Sequence, residues 1–282
     1  MAVPDRLTEL LADFELASSQ SGTSRTPAGK PLLLALTHLR NNALNDAETA
    51  LNSFESHMSA AGITLQAVIM AVRGDLEQSE EHFLRAVEAV DPDFDILCLT
   101  GDLARHFNFL EIAIKAFDRA IEIAPHASHA LLRRGQTFSE AGDCSRRASK
   151  GYPAATEPVC RPRRTRRRIS VANMTDAACN CYHTALDIEP QNTSARSGLD
   201  QTLAHVLPQW HNAMLNDTNR NDAFAEAIKA AVTASSIILD IGTGTGLLAM
   251  MTSRAETAKV TGCESVGILA QTASEIVKQN GF

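Results

Sequence analysis

A repeat of 34 residues in the first two thirds of this chain restricts the architectures that it can adopt. Gly101 and Gly135 are separated by this distance, and so are Phe83 and Phe117. Around them, small and apolar residues recur at helical spacing, and Pro125 closes one unit. A period of this length predicts pairs of helices stacked side by side. The small residues let the two helices of a pair approach closely, and the aromatic ring fills the gap between them.

This repeat resembles the tetratricopeptide pattern, whose stacked helix pairs form a concave groove. We therefore predict a mainly α fold, with a tetratricopeptide helical-hairpin array over residues 32–190. Residues 1–31 are expected to form an amphipathic helix to residue 17 and a flexible linker after it. The groove suits a peptide or protein partner. A structural spacer or dimerisation module is the alternative.

A basic block interrupts the third repeat. Tyr182 follows Phe117 by 65 residues, which exceeds one period by 31 and places an insertion at residues 144–174. The block holds nine Lys and Arg residues against one Glu, so we expect it to be disordered. Three interpretations stay open: a localisation or nucleic-acid signal, kinase sites at Ser149 and Ser170, or a loop without function.

A glycine-rich turn follows an apolar run closer to the end of the sequence. The run from Ile237 ends at Asp240, Gly242, Gly244 and Gly246 follow, and an apolar helical pattern begins. This order predicts a strand, a tight turn and a helix, with a ligand beyond the carboxyl end of the strand. Glycines let the backbone approach a ligand closely, and a helix N-terminus favours an anionic group. The spacing differs from the G-x-G-x-x-G pattern of dinucleotide folds.

The glycine pattern resembles motif I of the S-adenosylmethionine-dependent methyltransferases. Before it stands Trp210-His211-x-x-Met214-Leu215-Asn216-Asp217-Thr218-x-Arg220-Asn221. With the upstream repeats, this segment is similar to the protein arginine N-methyltransferases, in particular to the branch with tetratricopeptide repeats at its N-terminus. The resemblance covers roughly residues 63–282 without the insertion.

The resemblance implies a Rossmann-like domain that binds S-adenosyl-L-methionine. Residues 237–282 would be its truncated start, and residues 191–236 its bridging helices. Arg220 is assigned to an ion pair with the cofactor's carboxylate, and Met214 to packing near the sulfonium. Glu264, after a second apolar segment, would accept hydrogen bonds from the ribose hydroxyls. The loop under the methionine moiety consists of Asp240, Gly242, Gly244 and Gly246.

Ordinary structural roles are the alternatives to these assignments. Arg220 as a solvated helix residue, paired with Asp217 or Asp222, is one of them. Trp210 and His211 are expected to seal the bridging helix against the sheet rather than to take part in catalysis.

The implied reaction is methyl transfer from S-adenosylmethionine to arginine in protein substrates. In this family two glutamates on a later loop position the guanidinium, and no carboxylate pair within these 282 residues corresponds to them. We therefore expect an N-terminal fragment without catalytic residues, which alone is inactive and binds the cofactor weakly or not at all. Two rival functions are a small-molecule methyltransferase, since motif I does not choose the acceptor, and a non-catalytic binding protein with a vestigial methyltransferase segment.

Composition limits the partners. A net charge of −7 gives no overall reason to expect nucleic acid, and no apolar run is long enough to span a membrane. Six cysteines without a framework of short spacings, and no secretion signal, fit the cytoplasm or nucleus. Cys179, Cys181 and His183 fall on one predicted helix where neighbours two apart face different directions, so no metal is expected.

Overall fold

The computed structural model describes residues 5–20, 29–52, 59–90, 93–149, 171–206, 209–257 and 259–282, and the predicted mainly α character is confirmed. The helices are α1 (Asp5–Gln20), α2 (Gly29–Arg40), α3 (Leu44–Asn52), α4 (Ala60–Arg73), α5 (Leu76–Val87), α6 (Phe94–His106), α7 (Leu110–Ile123), α8 (Ser128–Ser149), α9 (Val171–Ile188), α10 (Thr193–Val206), α11 (Gln209–Leu215), α12 (Thr218–Ala231), α13 (Leu247–Arg254) and α14 (Gly267–Gln279). The strands are β1 (Ile237–Ile241) and β2 (Lys259–Cys263). None of the helices in these described ranges is long and apolar enough to cross a membrane.

Neighbouring helices pack in pairs along the first two thirds of the chain: α2 with α3, α4 with α5, α6 with α7, and α8 with α9. The turn between α4 and α5 shows why the first helix stops. Gly74 adopts a φ of 88°, which glycine reaches without steric cost, and its amide bonds back to α4. Asp75 then starts α5 by accepting a hydrogen bond from the Gln78 amide at 3.1 Å.

Within two of the pairs, an aromatic ring lies directly on a glycine of the partner helix. A methyl group at Gly101 would lie 2.7 Å from Cζ of Phe117, and one at Gly135 would lie 2.9 Å from Cε1 of Tyr182. Both rings are buried. The same contact in both pairs accounts for the 34-residue spacing of the glycines. Membership of the array in the tetratricopeptide class stays a prediction.

Helices extend into both ends of two segments that were predicted to be irregular. Helix α8 continues through Ser149 and α9 begins at Val171, so both ends of the block predicted to be disordered are helical. Helix α1 likewise reaches Gln20 and α2 begins at Gly29, within the predicted linker. Extending an existing helix adds a hydrogen bond for each residue ordered, so a helix can continue past its last packing contact. Residues 150–170, with the basic cluster and Ser170, lie outside the described residues.

Two main apolar cores hold the helices together. The first core is built from helices α1 through α7. Helix α1 contributes the buried side chains of Leu7, Leu11 and Phe14 to it. The second surrounds Tyr182 between α8, α9 and α10, and Ile268 of α14 packs against it. The C-terminal α/β part is therefore in apolar contact with the helical array.

The α/β part begins with two parallel strands, as predicted from the apolar runs. Ile237 lies opposite Lys259 and Ile241 lies opposite Cys263, while α13, between the strands in sequence, packs against both of them. Alternate residues of β1 point to one face of the pair. On that face Ile237, Leu239 and Ile241 are 76%, 57% and 80% exposed. Membership of this part in the Rossmann-like class stays a prediction.

Candidate functional site

The turn between β1 and α13 is a narrow loop built on three glycines with positive φ. The φ angles are 77° at Gly242, 57° at Gly244 and 83° at Gly246. Residues with a Cβ rarely adopt such angles. The amides of Gly242 and Thr243 both donate to the carbonyl oxygen of Cys263, at 2.8 and 3.0 Å. Backbone hydrogen bonds therefore fasten the loop to the carboxyl end of β2.

Asp240 and Thr243 close the base of this loop. The Thr243 hydroxyl donates to Oδ2 of Asp240 at 2.7 Å. A methyl group at Gly262 would lie 3.1 Å from the same hydroxyl oxygen, so β2 also approaches Thr243 closely. The Asp240 carboxylate is therefore held in place by a residue of the loop that follows it.

Glu264 connects the end of β2 to the glycine loop. Its Oε2 accepts from the Gly244 amide at 3.0 Å, and its Oε1 accepts from the amides of Ser265 and Val266 at 2.8 and 3.1 Å. Burial alone would raise the pKa of Glu264, but these three N–H groups stabilise the charged form more strongly and lower the pKa below 4.5. An ionised carboxylate therefore lies beside the glycine loop at neutral pH.

Gly246 is the residue directly before α13, and it has no side chain that could cap the helix. A methyl group at Gly246 would lie 3.0 Å from Cγ2 of Val277, so α14 packs closely against this end of the helix. The first amides of a helix have no intrahelical acceptor and carry partial positive charge. The start of α13 can therefore bind an anionic ligand group.

His211 reaches the same loop from α11. A methyl group at Gly244 would lie only 3.2 Å from Cε1 of His211, so the imidazole packs against the backbone of the glycine. The sequence predicted that His211 seals the bridging helix, and its contact with the loop was not predicted. Its position on the short helix that carries Met214 was the signal that could have located it.

Arg220 lies in the first turn of α12, which is capped by Asp217. Oδ1 of Asp217 accepts from the Arg220 amide at 3.0 Å. The Arg220 guanidinium donates to Oδ1 of Asn221 at 3.0 Å and stacks 4.7 Å from the ring centre of Phe224. The half-buried guanidinium therefore lies along its own helix, and its ion pair with a ligand carboxylate stays a prediction.

The predicted site residues fall into two sets. One set lines the glycine loop and consists of Asp240, Gly242, Gly244, Gly246 and Glu264. The other set is Met214 on α11 and Arg220 on α12. Helix α11 reaches the loop through His211, and α12 packs on α13, the helix that follows the loop.

The buried cysteines are poor nucleophiles. Burial, with a smaller contribution from Asp102, raises the pKa of Cys98 to about 12. Burial, with a smaller contribution from Asp176, raises the pKa of Cys179 to about 11. Both thiols are therefore protonated at neutral pH, and the thiolate is the reactive form.

Similarity to curated proteins is confined to part of the chain. No protein-family model matches it. It is 35% identical over 114 residues to arginine N(omega)-methyltransferase of Streptomyces achromogenes subsp. streptozoticus, covering 40% of this chain and 32% of that protein. It is 35% identical over 106 residues to protein arginine N-methyltransferase 9 of Mus musculus, covering 37% of this chain and 12% of that protein.

A third relative is more similar over a shorter stretch. The chain is 46% identical over 78 residues to protein arginine N-methyltransferase 7 of Oryza sativa subsp. indica, covering 24% of this chain and 11% of that protein. The chain therefore spans about a third of the length of the Streptomyces relative and far less of the other two.

Proposed function

We propose that this chain, which its relatives identify as a member of the protein arginine N-methyltransferase family, binds S-adenosyl-L-methionine in the glycine loop. In this proposal it contributes the cofactor-binding part of an enzyme that methylates arginine in protein substrates. One observation carries the proposal: three positive-φ glycines follow β1, and the amide of the middle one, Gly244, donates to an ionised glutamate just after β2. This arrangement supports binding of a nucleoside, because a close backbone turn and an anionic acceptor lie side by side.

Glu264 is the proposed acceptor for the ribose hydroxyls. A carboxylate offers about four acceptor positions, two on each oxygen. Among the described residues, the Gly244 amide is the one donor to Oε2, whereas Oε1 accepts from the two amides of the following loop. Oε2 can therefore accept one ribose hydroxyl directly. A second hydroxyl would compete with the Gly244 amide, so we expect the loop to adjust at Gly244 when the cofactor binds.

The methionine tail of the cofactor is assigned to the other side of the loop. Its carboxylate would lie near the start of α13 and pair with Arg220, while Met214 packs near the sulfonium. To reach the carboxylate, Arg220 must give up its hydrogen bond to Asn221, whose net worth is about 1 kcal/mol. A bidentate ion pair with a carboxylate offsets that loss. His211, packed on Gly244, would border the same ligand.

The helical array is proposed to bind a protein partner or the protein substrate. The stacked helix pairs support this role, since such arrays present an extended concave surface. The rival function, in which the array alone acts and the α/β part is vestigial, predicts no cofactor binding at all.

A second acceptor class is supported by one relative. The Streptomyces protein is named for arginine rather than for protein arginine. Free arginine and arginine within a protein present the same guanidinium, so the glycine loop is compatible with either acceptor. The loop does not select between them, because residues that bind the cofactor do not by themselves choose the acceptor.

Photo-cross-linking of tritiated S-adenosylmethionine to the full chain tests the proposal. We expect label in the peptide that contains Gly242 to Gly246, with much less label in Asp240→Ala and unchanged label in the control Asp222→Ala, which alters an acid of α12. Label no higher than in the heat-denatured chain, or label spread evenly over all peptides, would refute cofactor binding in the loop.

The same reaction mixtures test the acceptor. With an arginine-rich protein or free arginine added, we expect no tritium in either acceptor, because the resemblance places the catalytic glutamates outside this sequence. Transfer to protein would show that the chain holds transfer groups that we have not assigned. Transfer to free arginine alone would favour the second acceptor class.

A further inference from the structure

The helical array contacts the α/β part through a carboxylate at the start of α14. Asp176 lies on α9, and its Oδ2 accepts from the Gly267 amide at 3.2 Å while its Oδ1 accepts from the Ile268 amide at 3.1 Å. These partners are 91 and 92 residues away in the chain. Next to them, Ile268 packs on the apolar core around Tyr182.

This contact replaces a cap that α14 does not form locally. The residue before the helix is Val266, whose side chain has no acceptor and makes no capping hydrogen bond. The first amides of a helix need acceptors, and a carboxylate there is favoured by the helix dipole. A methyl group at Gly267 would clash with Oδ2 of Asp176, so the absence of a Cβ allows this approach.

Two carboxylates divide four consecutive amides between them. Glu264 accepts from the amides of Ser265 and Val266, and Asp176 accepts from the next two amides, at positions 267 and 268. Glu264 also holds the Gly244 amide of the glycine loop. A continuous series of hydrogen bonds therefore runs from α9 of the array, through the segment 264–268, to the proposed cofactor loop.

We propose that Asp176 is a positioning residue, through which the helical array sets the place of Glu264 and of the glycine loop. The expected effect on cofactor affinity rests on the proposed function, whereas the structural link between array and loop does not. By thermodynamic reciprocity, a ligand that draws Glu264 into a new position also changes the stability of the contact at α9.

Amide hydrogen exchange of the full chain tests the structural link. In Asp176→Ala we expect about tenfold faster exchange at 267 and 268, because two charge-assisted hydrogen bonds are lost, and also faster exchange at Gly244 and Ser265. Asp176→Asn keeps a side-chain oxygen and is expected to restore part of the protection. Asp187→Ala removes an exposed acid from the same helix and is the matched control. Unchanged exchange at Gly244 and Ser265 in Asp176→Ala would overturn the proposal.

Binding of S-adenosylmethionine, measured by cross-linking in the same variants, separates this inference from the proposed function. Weaker labelling in Asp176→Ala, restored in Asp176→Asn and normal in Asp187→Ala, supports the positioning role. Equal labelling in all of them overturns that role. If the unmodified chain takes no label, the proposed function fails, and hydrogen exchange still decides whether Asp176 holds the loop.

Discussion

The glycines of this chain meet two different physical demands. At Gly242 the demand is conformational, since φ is 77° and a methyl group there would meet no atom within 4 Å. At Gly101 and Gly198 the demand is space, because a methyl group would lie 2.7 Å from Phe117 and 2.6 Å from Tyr182, respectively. The same residue type therefore allows a tight turn in one part of the chain and close helix contacts in another.

The spatial demand predicts the cost of a single methyl group. Gly101→Ala is expected to lower the free energy of unfolding by about 1–3 kcal/mol in urea denaturation, because the ring of Phe117 must move. The double variant Gly101→Ala with Phe117→Leu should lose less free energy of unfolding than the sum of the two single variants. Gly74→Ala, which strains a φ of 88° far from the ring, is the control and should add to Phe117→Leu without interaction. If the losses in the free energy of unfolding from Gly101→Ala and Phe117→Leu were additive, the contact between Gly101 and the Phe117 ring would be contradicted.

Glu264 predicts a pH dependence of stability. Its pKa in the folded state lies below 4.5, because the amides of its neighbours outweigh the effect of burial. Such a group contributes stability that is present above its unfolded-state pKa and lost as the pH falls through its folded-state pKa. The Tm of Glu264→Gln should therefore be lower than that of the unmodified chain at pH 7, and the two should converge in acid. Glu275→Gln on α14 is the control, and a gap that persists below the folded-state pKa would contradict this account.

At the level of elements, the locally encoded features could be predicted from the sequence and the distant contacts could not. The apolar runs and glycines around Asp240 predicted a strand, a turn, a helix and a second strand, because each is specified by adjacent residues. The bonds from Asp176 to α14 and the packing of His211 on Gly244 join residues that no local pattern connects. Helices α8 and α9 also extend into the block predicted to be disordered, since composition alone does not show where an established helix ends.

The start of α6 provides a test of local encoding. Oδ1 of Asp93 accepts from the amides of Asp95 and Ile96, both at 3.0 Å. Asp93→Ala is expected to lower the free energy of unfolding by about 0.5–2 kcal/mol, because two helix amides lose their acceptor. Asp93→Asn, which can still accept, should lose less than half of that amount in the same urea titration. Equal losses in both variants would show that the charge, and not the cap, stabilises α6.

At the scale of the whole molecule, one apolar face of β1 is exposed among the described residues. Ile237, Leu239 and Ile241 lie on it, and all three are more than half exposed. An apolar patch beside an unpaired strand edge favours association. We expect the full chain to self-associate with rising concentration in sedimentation velocity, and the triple change to Thr at these positions to reduce that association. If the triple variant associated as strongly as the unmodified chain, the contact between copies would lie outside this face of β1.

The two halves of the molecule are joined at the segment between β2 and α14. That segment carries Glu264 and borders the glycine loop, and the first two amides of α14, directly after it, donate hydrogen bonds to Asp176. The account therefore depends on whether the loop holds the cofactor, even if a chain that spans a small part of its relatives binds it weakly.

Titration of the nitrogen-15-labelled full chain with S-adenosylmethionine, followed by amide chemical shifts, tests this claim most directly. We predict saturable shifts at Gly242, Gly244 and Gly246 and at Ser265, with an affinity in the millimolar range, that disappear in Glu264→Ala and persist in Glu275→Ala. No shift at the three glycines, or shifts of equal size in Glu264→Ala, would contradict the account.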